Sequence, residues 1–225
     1  RELRFMVKIK HPNVVRLLGA VIAGSELSVI TELAPRGSLA DVMDPKRQSS
    51  WRERKHAMLQ DIGDGLEFIH SQDFAHRDLK PANVLVMQDW RCKITDFGTS
   101  TPVTDMTQGT LVGTVVYMAP EILRGEQYSA MPADVYSLSL VIWEVLAENT
   151  PFSDFQNSMQ LILQVGQNKL RPSVEVVDER VRALVEAMWC HDASARPQMR
   201  EVKQSLHCLK AGEERVYPLA AITPC

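Results

Sequence analysis

The chain has 225 residues, 45% of them hydrophobic, with 25 Lys+Arg against 28 Asp+Glu. That is enough apolar side chain for a sizeable core in one or two globular units, which excludes disordered and fibrous classes. A formal net charge of -3 without a basic block gives no electrostatic footprint for nucleic acid, and no stretch reaches the roughly eighteen uninterrupted apolar residues of a bilayer span.

The chain opens on Arg1-Glu2-Leu3-Arg4-Phe5-Met6-Val7, with neither an initiator Met nor a signal peptide, and Leu3, Met6 and Val7 already recur at helical spacing. The opening is therefore expected to be an excerpt of a longer polypeptide, entered in mid-helix. His11-Pro12-Asn13 stops that helix, because a residue before proline is pushed out of the helical region. Residues 14–22 and 27–33 are rich in branched side chains and flank Ala23-Gly24-Ser25, which predicts a hairpin. Pro35-Arg36-Gly37-Ser38 breaks the pattern. From 51 to 71, Ala57, Leu59, Ile62, Leu66 and Ile69 fall mostly at three- and four-residue steps and predict a long amphipathic helix despite Gly63 and Gly65. Residues 84–86 and 92–94 read as a second small hairpin.

Beyond Pro120 the chain reads as predominantly helical. Pro132 suits a first helical turn, and residues 135–147 are apolar on nearly all sides, so this helix is expected to run through the middle of a domain. Further helices are expected at 158–167, 179–190 and 200–209, followed by a tail whose last residues, 217–225, carry two prolines and little periodicity. Cys92, Cys190, Cys208 and Cys225 are widely separated, with no C-x-x-C, which suggests neither a zinc site nor a disulfide scaffold and predicts reduced thiols.

Three motifs carry chemistry. His76-Arg77-Asp78-Leu79-Lys80-Pro81-Ala82-Asn83 is followed by Asp96-Phe97-Gly98 and then by Ala119-Pro120-Glu121. Each alone is common, but the set in this order is specific, and it resembles the protein kinase catalytic domain. Phosphoryl transfer asks a protein mainly to position an in-line nucleophile and to neutralise charge on the γ-phosphate, which carboxylates, an amide and a lysine can do. The resemblance implies an α+β, protein kinase-like fold: a mainly helical carboxy-terminal lobe with a partial β-rich amino-terminal lobe. It implies a remnant of the amino-terminal lobe over 1–33, hinge and carboxy-terminal lobe over 34–209, and a tail over 210–225.

Residue by residue, the resemblance gives Asp78 the role of orienting the substrate hydroxyl and accepting its proton. Lys80 would face the transferring phosphate, and Asn83 and Asp96 would hold Mg²⁺. Glu2 lies nine residues before His11, where the family places the helix glutamate that pairs with the ATP-binding lysine. Thr31 would be the gatekeeper, backbone groups of Glu32 and Ala34 would meet the adenine edge, Ser38 would lie along the nucleotide, and Leu85 beneath the ring. Met6, Leu17, His76 and Phe97 match the regulatory spine. Asp134 would anchor the backbone at His76 and Arg77, Thr114 would bond Asp78 and Lys80, and Glu121 would pair with Arg196.

Lys80, two residues after Asp78, and Gly113-Thr114-Val115-Val116-Tyr117-Met118 before Ala119 look like the serine/threonine form. The segment from Thr31 to Leu39 and Asp134-Val135-Tyr136-Ser137 resemble the tyrosine-kinase-like group of such kinases. ATP, Mg²⁺ and proteins presenting Ser or Thr are the implied cofactors and partners, with neither nucleic acid nor a membrane segment, and a cytoplasmic location as the default. The threonine-rich loop (Thr99, Ser100, Thr101, Thr104, Thr107, Thr110) suggests control by an upstream kinase or by autophosphorylation, through a phosphate docked on Arg77.

The chain contains no G-x-G-x-x-G and no V-A-I-K-type lysine ahead of Glu2. The expectation is an amino-terminally truncated kinase domain that, as it stands, binds Mg·ATP poorly. The alternative is a catalytically inactive, kinase-like interaction module. A small-molecule phosphotransferase of the same fold is disfavoured by Ala119-Pro120-Glu121 and the long threonine-rich segment, which build a shelf for a peptide.

Overall fold

The computed structural model describes residues 9–23, 26–46, 49–97, 101–102 and 114–209. The helix expected around Glu2 and Met6, the tail beyond 209 and most of the threonine-rich loop lie outside the described residues.

Two antiparallel strands, β1 (Leu17–Ala23) and β2 (Glu26–Thr31), form the first hairpin, with Leu17 opposite Thr31 and an irregularity between Leu17 and Gly19. A short helix α1 (Leu39–Met43) follows, and a 3-10 turn (Ser49–Arg54) leads into α2 (Lys55–Ser71). Periodicity does not reveal α1, because five residues are less than two turns. Its start is nevertheless written locally, since the Ser38 hydroxyl accepts from the Asp41 N–H (3.2 Å) while Asp41 accepts from the Ser38 N–H (2.8 Å), a capping box.

In α2 the buried stripe is Met58, Leu59, Ile62, Leu66 and Ile69, whereas Ala57 is exposed. Leu59, Ile62, Leu66 and Ile69 are buried as the sequence predicts, and the one departure is at the start of the stripe, where Met58 takes the place expected for Ala57. Gly65 permits a close approach, since a Cβ there would stand 2.5 Å from the Asn13 carbonyl oxygen.

Two-residue strands β3 (Phe74–Ala75) and β6 (Thr101–Pro102) pair across the catalytic-type motif, and β4 (Val84–Val86) pairs antiparallel with β5 (Cys92–Ile94) as predicted. The Val15 N–H donates to the Ile94 carbonyl and the Ile94 N–H to the Asn13 carbonyl, both at 2.9 Å, joining the segment ahead of β1 to this hairpin.

The remaining elements are α3 (Pro120–Leu123), α4 (Ala130–Ala147), α5 (Ser158–Gly166), α6 (Glu179–Met188) and α7 (Met199–Cys208). By length and composition α4 could cross a membrane, but 78% of it is buried inside the protein, which is the central core helix expected from its all-round apolarity. It begins five residues before the apolar run, and Pro132 falls in its first turn, where a missing N–H breaks no helical bond. Cys92 and Cys208 are free thiols, whereas Cys190 is disulfide-bonded, contrary to the expectation of reduced thiols throughout.

Candidate functional site

Asp134, on the first turns of α4 and fully buried, organises the site from beneath. Its Oδ2 accepts from the His76 N–H (2.7 Å), its Oδ1 from the Arg77 N–H (2.7 Å), and His70 Nε2 lies 2.9 Å from Oδ2. Both backbone bonds match the anchor role implied by resemblance, while the third partner, His70 on α2, has no signal in the sequence. Arg77 needs such an anchor, because its φ of 71° is the left-handed conformation that non-glycine residues seldom adopt.

Held this way, the loop presents Asp78 to its neighbours. Lys80 Nζ donates to Asp78 Oδ2 (2.7 Å) and to Thr114 Oγ1 (3.0 Å), and the Thr114 N–H reaches Asp78 Oδ1 (3.3 Å). Asn83 Nδ2 donates to the Asp78 backbone carbonyl (2.8 Å) and to its Oδ2 (3.0 Å). The Asp78 carboxylate is therefore fixed by residues from two segments, and the Thr114 contacts implied by resemblance are present.

Asp96 is carried alongside by its two neighbours. The Thr95 N–H donates to the Asn83 carbonyl (3.0 Å) and the Thr95 carbonyl meets His76 Nε2 (2.8 Å). Phe97 is fully buried, edge-on to His76 with ring centroids 5.5 Å apart. Between these anchors Asp96 is exposed and left-handed, with φ of 66°. Strain of this kind collects at functional positions, because the surrounding structure must over-determine it.

Asn83 and Asp96 offer an amide and a carboxylate, the oxygen donors that Mg²⁺ prefers. The Asn83 amide nitrogen is committed to Asp78, which leaves its Oδ1 as the outward donor, so the pair fits Mg²⁺. Among the described residues no group of three or more His, Cys, Asp or Glu could hold a metal ion.

The residues to which the resemblance gives a nucleotide-binding role include a run of backbone contacts between the segment after β2 and β4. The Val86 N–H donates to the Gly37 carbonyl (2.8 Å), the Arg36 N–H to the Val86 carbonyl (3.3 Å), and Ser38 bridges to Leu85. Strand alternation buries Val84 and Val86 and turns Leu85 to the opposite face. Thr31 ends β2. The Glu32 N–H is used by the Arg16 carbonyl (3.1 Å), while the Glu32 carbonyl and the Ala34 N–H make no hydrogen bond among the described residues. Those two groups form an acceptor and donor pair that an adenine edge can meet.

The Ser38 hydroxyl is committed to its own helix, donating to Asp41 Oδ2 at 2.7 Å. Glu2 lies outside the described residues.

Sequence reasoning missed the role of the Glu32 side chain. Its Oε1 accepts from the Arg16 N–H (2.7 Å) and from Lys93 Nζ (2.8 Å), tying the segment after β2 to β5. Burial works to raise this carboxyl, but the bonds from Lys93 and Arg16 outweigh it and hold it below the usual range.

Two further pairs fix the segment around Ala119-Pro120-Glu121. Arg196 grips Glu121 with both terminal nitrogens at 2.7 Å and also bonds the carbonyls of Cys190 and Pro132, both at 2.9 Å, as the resemblance implies for this pair. The Tyr117 hydroxyl donates to Glu144 Oε2 on α4 at 2.7 Å, a contact with no local sequence signal. Burial pushes the Glu144 carboxyl up to about 7, with the Tyr117 bond acting against the shift. Burial, then the Glu144 charge, raises the Tyr117 phenol.

A family model described as protein kinase domain matches residues 1–207. The chain is 35% identical over 217 residues to the probable serine/threonine-protein kinase drkC of Dictyostelium discoideum, covering 93% of this chain and 29% of the relative. It is 35% identical over 214 residues to the probable serine/threonine-protein kinase SIS8 of Arabidopsis thaliana, covering 93% and 21% respectively. It is 34% identical over 212 residues to the dual specificity protein kinase shkB of Dictyostelium discoideum, covering 91% and 32%. The chain thus spans about a third or less of the length of these relatives.

Proposed function

The chain belongs to the protein kinase family, and on that premise we propose that it transfers the γ-phosphate of ATP to a serine or threonine hydroxyl of a protein. The observation that carries this reading is the Asp78, Lys80, Asn83 and Thr114 constellation, in which one carboxylate is fixed by donors from both the 76–83 loop and the segment ahead of Pro120.

Asp78 accepts the proton of the substrate hydroxyl as the new oxygen–phosphorus bond forms and the bond to ADP breaks. Lys80 stands beside it to meet the negative charge of the transferring phosphoryl group. Asn83 Oδ1 and the Asp96 carboxylate would hold Mg²⁺, which supplies charge neutralisation on the phosphate oxygens. The Glu32 carbonyl and Ala34 N–H orient the adenine, with Thr31 and Leu85 bounding the ring. Thr114 links the catalytic carboxylate to the peptide shelf, so the geometry of the acceptor and of the base is set together. The serine/threonine preference rests on Lys80 and Thr114, and on relatives bearing serine/threonine and dual-specificity names.

The test is phosphoryl transfer from ATP to a protein acceptor by the natural polypeptide that contains this chain, with the phosphorylated amino acid identified. Asp78→Asn should lower the rate by about 10² or more, the scale of a lost general base, while Mg·ATP binding persists. No transfer by the parent protein, or a rate indifferent to Asp78→Asn, overturns the proposal.

A further inference from the structure

A second concave site lies away from the catalytic loop. A groove of about 1300 Å³ runs between the segment joining α3 to α4, the stretch after α5, and the end of α6, with Arg124, Lys169, Arg171 and His191 in its lining. None of these residues contributes to the constellation around Asp78.

The floor of the groove is fixed in orientation. Arg171 donates through Nε to the Trp189 carbonyl (2.8 Å) and through Nη1 to the Leu170 carbonyl (2.8 Å), and its guanidinium carbon stands 5.1 Å from the Tyr136 ring centroid. These contacts leave its Nη2 without a hydrogen bond among the described residues. Arg124 is saturated: Nε and Nη2 hold the two oxygens of Glu126 at 2.6 and 2.7 Å, and Nη1 reaches the Gly166 carbonyl (3.0 Å) and His191 Nε2 (2.8 Å).

A guanidinium can only donate, so His191 Nε2 must present its lone pair and the ring hydrogen must sit on Nδ1. That Nδ1 is buried and has no hydrogen-bond partner among the described residues. The charge around it is one-sided. Burial first, and then Arg124, Arg171 and Lys169, depress the basicity of His191, and Glu121 alone opposes them. Glu121 is already held by both terminal nitrogens of Arg196. Lys169 is exposed at the rim and makes no ion pair among the described residues.

The carboxylates that line the groove do not neutralise this floor. Glu126 is used by Arg124, and Asp192 caps its own turn through the Ser194 N–H (2.9 Å). Glu175 and Glu186 stand exposed. A pre-oriented guanidinium and an ammonium thus share one concave surface, with a buried N–H donor that lacks an acceptor among the described residues beside them.

We propose that this groove binds an oxyanion, a carboxylate or a phosphate, carried on the side chain of a peptide, with Arg171 Nη2 and Lys169 as its ligands. The planar fork of arginine matches such a group, and the groove is too large for an isolated ion to fill. Mixed charge at the rim favours a peptide with flanking cations that Glu175 and Glu186 can meet. The site is separate from phosphoryl transfer and does not depend on that reading.

The test is a titration of the chain, followed by the NMR signals of the His191 ring, with three probes: inorganic phosphate, a peptide centred on phosphoserine, and the same peptide with glutamate there. Saturable movement with at least one peptide, tighter than with inorganic phosphate, is expected, and the two peptides decide which oxyanion is preferred. Lys169→Glu, an exposed substitution that leaves the fold intact, should weaken peptide binding at least about tenfold, the scale of one charge-assisted contact. Arg171→Gln should weaken it further, with circular dichroism confirming that the variant folds. Equal affinity for inorganic phosphate and both peptides removes the peptide from the proposal. Absence of saturation, or saturation indifferent to Lys169→Glu, overturns the site.

Discussion

Replacing Asp134 by alanine isolates the energetic cost of organising the catalytic loop. The carboxylate is fully buried and takes bonds from the His76 N–H, the Arg77 N–H and His70. Hydrogen bonds to a charged group contribute about 1.5–3 kcal/mol each, and alanine leaves the donors without an acceptor where water has no access. Three such bonds put the loss at about 5 kcal/mol or more, against a total stability of about 5–15 kcal/mol for a domain. Arg77 adds to the effect, since its left-handed backbone costs of order 1–3 kcal/mol and is held in place by this same carboxylate. Asp134→Asn keeps one acceptor oxygen but turns an amide donor toward one of the remaining donors, so about 2–3 kcal/mol should be lost. Urea unfolding followed by tryptophan fluorescence reads both values, with an unchanged slope marking a true stability change. An alanine variant within about 1 kcal/mol of the parent would refute the view that Asp134 holds the loop by hydrogen bonding.

Two other outcomes follow from the packing. Glu144 has a folded-state value of about 7 against an ordinary 4.5, so between those pH values the folded state binds more protons than the unfolded chain, and stability falls as pH rises through that window. Glu144→Gln keeps an acceptor for Tyr117 and removes the titration, so the variant should gain on the parent by on the order of 3 kcal/mol from about pH 4 to pH 8; a pH-independent difference in urea stability would contradict the assignment. Gly65→Ala drives a Cβ against the Asn13 carbonyl oxygen at 2.5 Å, whereas Gly63→Ala meets only the tip of Leu206 at 2.8 Å. The first should lower stability by about 1–3 kcal/mol or more, while the second should stay near neutral because a side-chain tip can move and alanine favours the helix; equal melting temperatures for the two variants would count against this account.

Much of the fold was legible because helices and motifs are local. The three- and four-residue spacing around Leu59, Ile62 and Leu66 locates α2, and the all-round apolarity of 135–147 marks α4 as the central helix. Contiguous chemistry was equally plain: Asp78, Lys80 and Asn83 share one loop, so their proximity follows from chain connectivity, and their family resemblance from their order. The capping box at Ser38 and Asp41 is likewise local, so the start of α1 is written in the sequence even though its five residues are too few for a periodic signal.

Everything that joins distant segments had to come from the tertiary structure. Periodicity alone could not show that α2 buries Met58 and exposes Ala57, because the buried face is chosen by what packs against it. Glu144 meeting Tyr117, Glu32 meeting Lys93, and His70 joining Asp134 each depend on packing that brings a carboxylate within hydrogen-bond distance of a remote donor. The same holds for the groove, where Arg124 dictates the tautomer of His191 across 67 residues of chain. Sequence by itself determined which residue types are available and which local elements they form. Only the close-packed fold decided which polar groups lose water together, and burial of that kind sets their charge, orientation and chemical use.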